Sequence, residues 1–359
     1  MERKKKKGKE TGKRKKKEEK KIKEKHIIWD KKNYKKKIKT IGFPWKRKFY
    51  DNITIKNWMK NLQKEKTIPR FKIVKDYHLR NINKISLGFH GDQKYVFIWK
   101  DDDYERFNMI SDMFQEEERM KCKRKFDRLS PYDFFFSNID EILSKIKEEK
   151  INEFDVREIV YSMTSECSSH RPLNMAFMID LFVPKKGKVL DPCAGWGDRL
   201  AGAISRSSHI SEYTGTDPNP NLFEGYENMI KFFVPISQHS KFKMINSRFE
   251  EWGDIPKNYY DLVYTSPPYF DFEDYRIKIT QKTSEEWFTR FMIVLMKKAT
   301  ISLVKGGILA ININQEKGED YVERLINTPY HNLTYLGVVP YTSSSLRNPQ
   351  PIWIWQKNK

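Results

Sequence analysis

Short apolar runs alternate with amphipathic stretches along the second half of the chain, from Gly187 onward. The apolar runs predict strands at 188–190, 212–215, 242–245, 261–264 and 308–313, and the stretches between them predict helices at about 198–206, 221–233 and 284–303. Such alternation is typical of βαβ units, which build a parallel sheet with helices on both faces. Two later runs, 333–338 and 351–355, predict further strands at the sheet edge. The predicted fold is therefore α/β and Rossmann-like, with a mostly parallel seven-stranded sheet.

The first half of the chain has a different pattern. Residues 41–100 predict a small mixed module with a β-hairpin, in which apolar runs at 84–89 and 95–99 flank a turn at 90–93. Amphipathic stretches predict helices at about 104–125, 137–148, 153–164 and 172–183, with Asn138 and Asn152 as N-caps of the second and third. The predicted domains are a tail over 1–40, a smaller N-terminal α+β module over 41–165 and a main domain over 166–359.

The net charge of +21 on the 359 residues is concentrated in the first part of the chain. Residues 1–48 hold 24 Lys and Arg against 6 Asp and Glu, so they alone carry +18. A lysine-rich segment with few apolar residues predicts disorder over 1–40. Two compatible interpretations follow, namely a solvated tail or nuclear-type address, and a sequence-independent segment that binds phosphates.

Several classes of protein are disfavoured by what the sequence lacks. The three cysteines, Cys122, Cys167 and Cys193, are far apart and show no zinc or disulfide spacing, so we expect a reducing compartment and no metal. No apolar run reaches about 18 residues, and the N-terminus has no apolar signal-peptide stretch. These features predict an intracellular protein, cytoplasmic or nuclear, that neither spans a membrane nor is secreted. The oligomeric state is left open.

A glycine turn follows the first predicted strand of the main domain. It reads Asp191-Pro192-Cys193-Ala194-Gly195-Trp196-Gly197 and leads into a predicted helix. The two glycines permit a tight turn and the close approach of a ligand to the backbone. No Gly-Lys-Ser/Thr follows, which disfavours a triphosphate cradle.

Polar side chains also end the next two predicted strands. Asp217 lies 26 residues after Asp191, at a position where an acid can hydrogen-bond the two hydroxyls of a ribose. The alternative for Asp217 is a simple turn or N-cap aspartate. Asn246 ends the third strand, and it either meets the edge of an adenine or closes a turn.

The fourth predicted strand ends in Thr265, followed by Ser266-Pro267-Pro268-Tyr269. Two prolines stiffen the backbone and remove two N–H donors, so nearby carbonyl groups stay free to accept hydrogen bonds. The serine hydroxyl and one such carbonyl can hold an amino group, and the tyrosine ring can stack on the flat base that carries it. The acidic and aromatic segment 270–275 that follows is either a loop lining this pocket or a packed surface loop.

The glycine turn followed by Ser266–Tyr269 resembles the S-adenosylmethionine-dependent amino-methyltransferases, which modify exocyclic nitrogens of DNA bases. Their hallmarks are D-P-F-x-G-x-G and (S/D/N)-P-P-Y. Ser169-His170-Arg171-Pro172 resembles the family's cofactor-binding segment with its basic-Pro pair. The stretches 110–119 and 351–355 resemble phage and large-virus members. The resemblance covers about 165–357 and implies a class I methyltransferase fold.

The resemblance also implies roles for individual residues. The residues expected to bind S-adenosylmethionine are Arg171, Pro172, Asp191, Cys193, Ala194, Gly195, Gly197, Asp217, Asn246 and Thr265. The expected catalytic tetrad is Ser266, Pro267, Pro268 and Tyr269. Within it, Ser266 and the Pro267 carbonyl would hold the target amino group, and Tyr269 would stack on a flipped base. Cys193 stands where the family has Phe, which leaves room for Trp196 or Phe249.

The function implied is methyl transfer to the exocyclic amino group of a DNA base, as in the methylation half of a restriction-modification pair. A tetrad that begins with serine favours cytosine N4 over adenine N6. Two alternatives stay open, an RNA base methyltransferase and a non-catalytic nucleic-acid-binding protein that keeps the fold. The next predicted helix begins only 16 positions after Pro268, so by exclusion we expect 41–165 to recognise DNA.

Overall fold

The computed structural model describes residues 27–65, 71–73, 95–98, 101–270, 272–277, 280–314, 319–342 and 350–358. Its strands are β1 (Ile28–Asp30), β2 (Phe71–Ile73), β3 (Tyr95–Ile98), β4 (Lys123–Arg124), β5 (Lys150–Asn152), β6 (Lys188–Asp191), β7 (Glu212–Asp217), β8 (Phe242–Asn246), β9 (Tyr260–Thr265), β10 (Glu273–Asp274), β11 (Leu303–Asn312), β12 (Leu333–Thr342) and β13 (Gln350–Lys357). Its α-helices are Lys31–Ile41, Asn52–Lys64, Asp101–Lys121, Pro131–Ser137, Ile139–Ser144, Glu153–Met163, Pro172–Phe182, Asp198–Ser205, Phe223–Phe233, Ser284–Trp287, Ile293–Ser302 and Tyr321–Asn327.

The chain divides into two compact units. Of the described residues, those within 27–55 and 119–167 form the smaller unit, and those within 56–118 and 168–358 form the larger unit. This division differs from the predicted single module over 41–165, because β2 and β3 pair into the main sheet of the larger unit. The predicted hairpin turn at 90–93 lies outside the described residues, whereas β3 is a strand as expected.

The smaller unit has its own core. Its β1 pairs antiparallel with β5, and the helix Lys31–Ile41 follows directly, with Asp30 accepting a hydrogen bond from Asn33 N. Tyr34 of this helix is fully buried among apolar side chains, and Ile38 packs one turn later against the same cluster. This apolar pair orders part of the predicted tail, so the expectation of disorder is wrong for 28–40. Residues 1–26 lie outside the described residues.

The larger unit contains a nine-stranded sheet in the order β2-β3-β12-β13-β11-β9-β6-β7-β8. Strands β8, β7, β6, β9 and β11 are parallel, which confirms the mostly parallel α/β prediction. The chain adds β7 and β8 on one side of β6 and then returns to add β9 and β11 on the other. In such sheets a ligand binds at the carboxyl ends of the strands where the order reverses. That switch point lies between β6 and β9.

The two C-terminal strands differ from their predicted edge position. β13 lies between β11 and β12 and is antiparallel to both. Trp353, Ile354 and Trp355 are almost fully buried, so successive side chains are covered on both faces of the sheet. A strand with two apolar faces belongs in the sheet interior. The count of nine strands instead of seven results from β2 and β3, which extend the sheet beyond β12.

Two helical predictions need local correction. The helix expected over 137–148 is the shorter helix Ile139–Ser144, preceded by a separate helix, Pro131–Ser137, that was not predicted. The two meet at Asn138, whose side chain donates to Phe134 O instead of capping the second helix. Asn152 is an N-cap as predicted, since its Oδ1 accepts from Phe154 N at 3.1 Å. The expected helix at 284–303 contains one π-helical turn, Phe288–Met292.

Candidate active site

A cavity of about 580 Å³ opens at the carboxyl ends of the parallel strands in the larger unit. Its walls are built by the turn after β6, the end of β7, the segment after β9 and the end of β11. Binding sites for small ligands commonly have volumes of about 300–1,000 Å³. The cavity therefore lies where the sheet topology places a ligand and has a suitable size.

Most of the residues predicted from sequence meet in this cavity. The lining residues among them are Arg171, Cys193, Ala194, Gly195, Asp217, Ser266, Pro267, Pro268 and Tyr269. Five predicted cofactor-binding residues do not line it, namely Pro172, Asp191, Gly197, Asn246 and Thr265. The structure thus brings the glycine turn and the tetrad together, and the other five residues lie outside the cavity lining.

Asp191 is fully buried and forms the centre of a hydrogen-bond network. Its carboxylate accepts from Arg199 Nε at 2.8 Å and from Tyr213 OH at 2.9 Å. The Thr265 hydroxyl donates to the same carboxylate at 3.1 Å. Arg199 also donates to the carbonyl of Cys193. Asp191 and Thr265 therefore hold the glycine turn against β7 and β9, and neither is among the residues that line the cavity.

The glycine turn requires its glycines for two different reasons. Gly195 and Gly197 have φ values of +57° and +79°, in the left-handed region that other residues rarely occupy. Gly195 lines the cavity, and its N–H donates to Asp217 Oδ2 at 2.9 Å. A Cβ at Gly197 would lie 3.1 Å from Met229 Cε. Gly197 therefore shapes the turn and the start of the next helix, whereas Gly195 forms part of the ligand surface.

Asp217 ends β7 and points into the cavity with 7% of its surface exposed. Its two carboxylate oxygens accept from Gly195 N and Asn219 N, each at 2.9 Å. Burial raises the pKa of Asp217 to about 6, an effect that these two N–H donors oppose. The carboxylate is thus ionised at neutral pH. Each oxygen keeps a second acceptor site for a ligand hydroxyl.

Asn246 and Pro172 have structural roles. The Asn246 side chain is exposed, and its amide donates to the Asp217 backbone carbonyl at 3.0 Å. Of its two predicted roles, turn closure is the one this geometry supports. Pro172 is the first residue of the helix Pro172–Phe182, a position that suits proline because the N–H there has no helical partner. Arg171, the N-cap residue before it, lines the cavity.

The tetrad after β9 leaves two acceptors open. The Pro268 carbonyl accepts from Trp287 Nε1 at 3.2 Å, and the Tyr269 hydroxyl accepts from Asn314 N at 2.9 Å. Within the described part of the chain, no residue forms a hydrogen bond with the Ser266 hydroxyl or the Pro267 carbonyl. Both residues line the cavity. A ligand that carries two N–H groups can therefore bind to both.

His170 belongs to the segment that resembles a cofactor-binding one but was not among the predicted site residues, and it also lines the cavity. Its Nε2 shares a 3.1 Å hydrogen bond with Tyr264 OH, and its backbone N donates to Asp198 Oδ2 at 2.9 Å. Burial, together with the charge of Arg199, holds the pKa of His170 well below its usual range, so the ring is neutral. Its partners come from separate elements, and no local pattern signals them.

The ends of β11 and β13 add polar residues that were also not predicted. Asn312 and Asn314 line the cavity together with Gln350. The Asn312 amide donates to Pro351 O at 2.7 Å, and the Asn314 amide donates to Gln350 Oε1. The available signal for Asn314 was an asparagine directly after an apolar run, the same signal that identified Asn246.

The segment after the tetrad lines the cavity, as one of its two interpretations proposed. Glu273 accepts from Ser168 N at 2.6 Å and from Tyr275 OH at 2.7 Å. The Tyr275 ring lies 5.9 Å from that of Trp196. Asp271 lies outside the described residues.

The two residues expected to fill the space beside Cys193, Trp196 and Phe249, both line the cavity. Phe249 is a member of the core cluster against which Cys193 packs, and both residues line the cavity. Trp196 turns instead toward Ser168, whose carbonyl accepts from its Nε1 at 3.1 Å. Burial and the nearby Asp191 raise the pKa of the Cys193 thiol, so this residue presents a neutral, apolar surface. One wall of the cavity is therefore apolar and suits a flat ring.

The part of the chain that the structure describes lacks two features. It contains no group of three or more His, Cys, Asp or Glu side chains placed to hold a metal ion. Among its helices, none has the length and apolarity that a membrane crossing requires.

The fold and the cavity define a Rossmann-like α/β protein with a ligand site at its switch point. No family model matches this sequence, and the search of curated proteins found no match. Similar solved structures include TrmN from Thermus thermophilus, at 14% identity and TM-score 0.39, covering 52% of this chain and 48% of that one. The tRNA methyltransferase TrmI from Aquifex aeolicus has 14% identity and TM-score 0.34, covering 52% and 68%. An O-methyltransferase from Thermotoga maritima, described as SAM-dependent, has 12% identity and TM-score 0.34, covering 52% and 64%. Similarity this weak carries no argument about activity, which must be inferred from the site.

Proposed function

We propose that this chain transfers a methyl group from S-adenosylmethionine to the exocyclic amino group of a DNA base, with cytosine N4 favoured over adenine N6. The observation that carries the proposal is the pair of open acceptors, the Ser266 hydroxyl and the Pro267 carbonyl, in the cavity wall. The neighbouring polar groups, the Pro268 carbonyl and the Tyr269 hydroxyl, are already engaged. A pair of acceptors beside each other is complementary to the two N–H bonds of an amino group.

The residues around the cavity fit the proposed methyl donor. The ionised Asp217 carboxylate has acceptor sites left for the ribose hydroxyls, and the open backbone at Gly195 permits a close approach. Phe249 and the neutral Cys193 offer apolar surface for the adenine ring. When bound, S-adenosylmethionine supplies a methyl group on a positively charged sulfur, which makes that carbon electrophilic.

The tetrad would act by positioning the amino group. An aromatic amine has its lone pair delocalised into the ring and is a weak nucleophile. Hydrogen bonds from both N–H groups to Ser266 and Pro267 favour a pyramidal nitrogen, whose lone pair then points toward the methyl carbon. Such positioning and fixed dipoles supply rate enhancement without a strong base.

Tyr269 would hold the base that carries the amino group. Its hydroxyl is fixed by Asn314 N, and its ring, half-buried beside Phe272, lines the cavity. An aromatic ring stacks on any base and contributes about 1–3 kcal/mol of binding free energy. Because the amino nitrogen of a paired base is inaccessible within a duplex, the target base must be extruded into the cavity.

DNA is favoured because the family that the chain resembles acts on DNA, and two sequence features support cytosine as the base and a nucleic acid as the partner. Serine at the head of the tetrad is typical of cytosine-N4 enzymes in the family that the chain resembles. The lysine-rich first 48 residues are complementary to a polyphosphate backbone and support a nucleic acid as the partner.

The test is mass spectrometry of nucleosides after incubation of the full chain with methyl-labelled S-adenosylmethionine and either DNA or RNA. The proposal predicts labelled N4-methylcytosine from DNA. Label in N6-methyladenine would keep the enzyme class and correct the base, and label in RNA alone would correct the polymer. Cofactor binding without label in either polymer would leave a non-catalytic binding protein.

A further inference from the structure

Phe126 is 90% exposed, and it is the one aromatic residue among the strongly exposed large apolar side chains of the described residues. It lies on a β-turn of the smaller unit, in which Asp127 N donates to Arg124 O at 3.0 Å. Lys125 and Phe126 occupy the two central positions of this turn. A phenylalanine side chain left in water forgoes the favourable free energy of burying its apolar surface. An aromatic ring at the tip of a closed turn is thus placed to be covered by a partner.

The turn is fixed to the rest of the smaller unit. Arg124 Nε donates to Glu166 O at 3.1 Å, and Lys123 Nζ donates to Arg128 O at 3.4 Å. The buried Arg119 pairs with the Glu166 carboxylate at 2.6 Å. A ring presented on a fixed turn loses little conformational freedom when it binds, so more of its contact energy appears as affinity.

The surroundings of Phe126 are strongly cationic. Residues 121–128 contain five Lys or Arg and a single Asp, and both Lys125 and Arg128 are exposed. The described residues of the smaller unit carry 19 Lys and Arg against 12 Asp and Glu, a net charge of +7. The partner that covers the ring must therefore tolerate, and preferably require, many positive charges nearby.

A second basic segment belongs to the same unit. The Lys121 ammonium lies 5.6 Å from the centre of the Tyr132 ring, and that ring stacks on Trp45 at 5.9 Å. Trp45 leads into the turn Lys46–Lys48, which consists of three cations. Cationic and aromatic side chains are thus interleaved from one basic segment to the other. Interleaving of this kind is the pattern by which proteins hold phosphates and stack on bases.

We propose that Phe126 stacks on, or wedges between, bases of the DNA substrate, while Lys125 and Arg128 contact its backbone phosphates. This inference rests on the proposed function for the identity of the polymer. Apolar side chains that unstack a base step recur among proteins that deform DNA, and extrusion of a target base requires such unstacking. A single exposed ring among cations is too small an apolar surface for a stable protein interface, which buries at least about 1,000 Å².

The test measures binding of the full chain to a fluorescent duplex DNA by anisotropy, with no methyl donor present. Phe126→Ala should weaken binding by about 5- to 100-fold, the range for loss of one stacked base, and Phe126→Trp should retain affinity. The matched control is Ile236→Ala, which removes another strongly exposed apolar side chain, 86% exposed in the larger unit, and should change nothing.

Salt dependence separates stacking from charge. Phe126→Ala should leave the slope of log K against log salt unchanged, whereas the double variant Lys125→Ala, Arg128→Ala should lower it by about 2. Wild-type affinity in Phe126→Ala, or a loss no greater than that of Ile236→Ala, would overturn the proposal. So would a loss confined to an RNA oligonucleotide, or a change in sedimentation coefficient of the free protein with DNA affinity intact. Because binding is measured without methyl transfer, failure of the proposed reaction does not decide this result.

Discussion

Replacing Asp217 by Asn separates the stability of the larger unit from its ability to bind a ligand. The carboxylate is almost fully buried, and its pKa is raised from 3.8 to about 6, chiefly by burial. A raised pKa means that the folded state prefers the protonated carboxyl. The contribution of this carboxyl to the unfolding free energy of the wild type is therefore fully present below about pH 4. It is lost as the pH rises through about 6, and the unfolding free energy then no longer changes through this group.

The magnitude follows from the same two pKa values. Integrated between pH 4 and pH 7, the shift makes the ionised group cost about 2 kcal/mol of unfolding free energy. Asn carries no charge and escapes that cost. However, it has a single acceptor oxygen, so either Gly195 N or Asn219 N loses its partner, which costs about 1–3 kcal/mol at every pH. The difference in unfolding free energy between the Asn variant and the wild type should thus shift by about 2 kcal/mol in favour of the variant as the pH rises from 4 to 7.

The assay is urea denaturation of both proteins at pH 4 and pH 7, combined with calorimetric titration of S-adenosylmethionine at pH 7. We expect the affinity of Asp217→Asn to fall by about 10- to 100-fold, the effect of losing hydrogen bonds to a charged acceptor. Asp254→Asn, at an exposed position in the same unit, is the matched control and should change neither quantity. Equal affinity in Asp217→Asn and wild type would refute the role assigned to this carboxylate.

Three further predictions concern the scaffold. Asp191→Ala leaves the Arg199 guanidinium buried without its carboxylate and should lower the unfolding free energy by about 3–5 kcal/mol, measured by urea denaturation; a loss below about 1 kcal/mol would contradict the network described. Gly42→Ala and Gly197→Ala both place alanine at positive φ, which costs about 1–2 kcal/mol of unfolding free energy. Of these two positions, only Gly197 has a close neighbour, since its Cβ would lie 3.1 Å from Met229 Cε. Gly197→Ala should therefore lose more stability than Gly42→Ala and also bind S-adenosylmethionine more weakly. Trp287→Phe removes the donor to the Pro268 carbonyl and should slow methyl transfer while leaving cofactor affinity within about twofold; unchanged turnover would show that the fixed tetrad backbone is unnecessary.

The parallel strands could be predicted from the sequence because they are buried on both faces of the sheet. Leu262, Val263 and Tyr264 of β9 are fully buried, so the strand appears as an unbroken apolar run. β11 was predicted only from residue 308, whereas it begins at Leu303. The segment Lys305-Gly306-Gly307 reads as a turn, and in the structure it forms an irregularity within the strand. Local composition cannot distinguish these two outcomes.

The role of a site residue was predictable where it depends on neighbours in sequence. It was unpredictable where it depends on side chains that come together from distant parts of the chain. The two successive prolines predicted carbonyl groups without hydrogen-bond partners, and among the described residues the Pro267 carbonyl has none. Which carbonyl stays open is decided by Trp287, which lies 19 residues further along the chain and engages Pro268. Similarly, the sequence around Asp191 predicted a ligand contact. In the structure its carboxylate accepts hydrogen bonds from Arg199, Tyr213 and Thr265, which belong to three different elements.

The central claim is that Ser266 holds the target amino group, and single-turnover methyl transfer to DNA by Ser266→Ala tests it most directly. The matched control is Ser247→Ala, because Ser247 follows β8 as Ser266 follows β9 yet does not line the cavity. We expect Ser266→Ala to slow transfer about tenfold or more, with the affinity for S-adenosylmethionine unchanged, while Ser247→Ala behaves as wild type. Wild-type transfer by Ser266→Ala would contradict this claim.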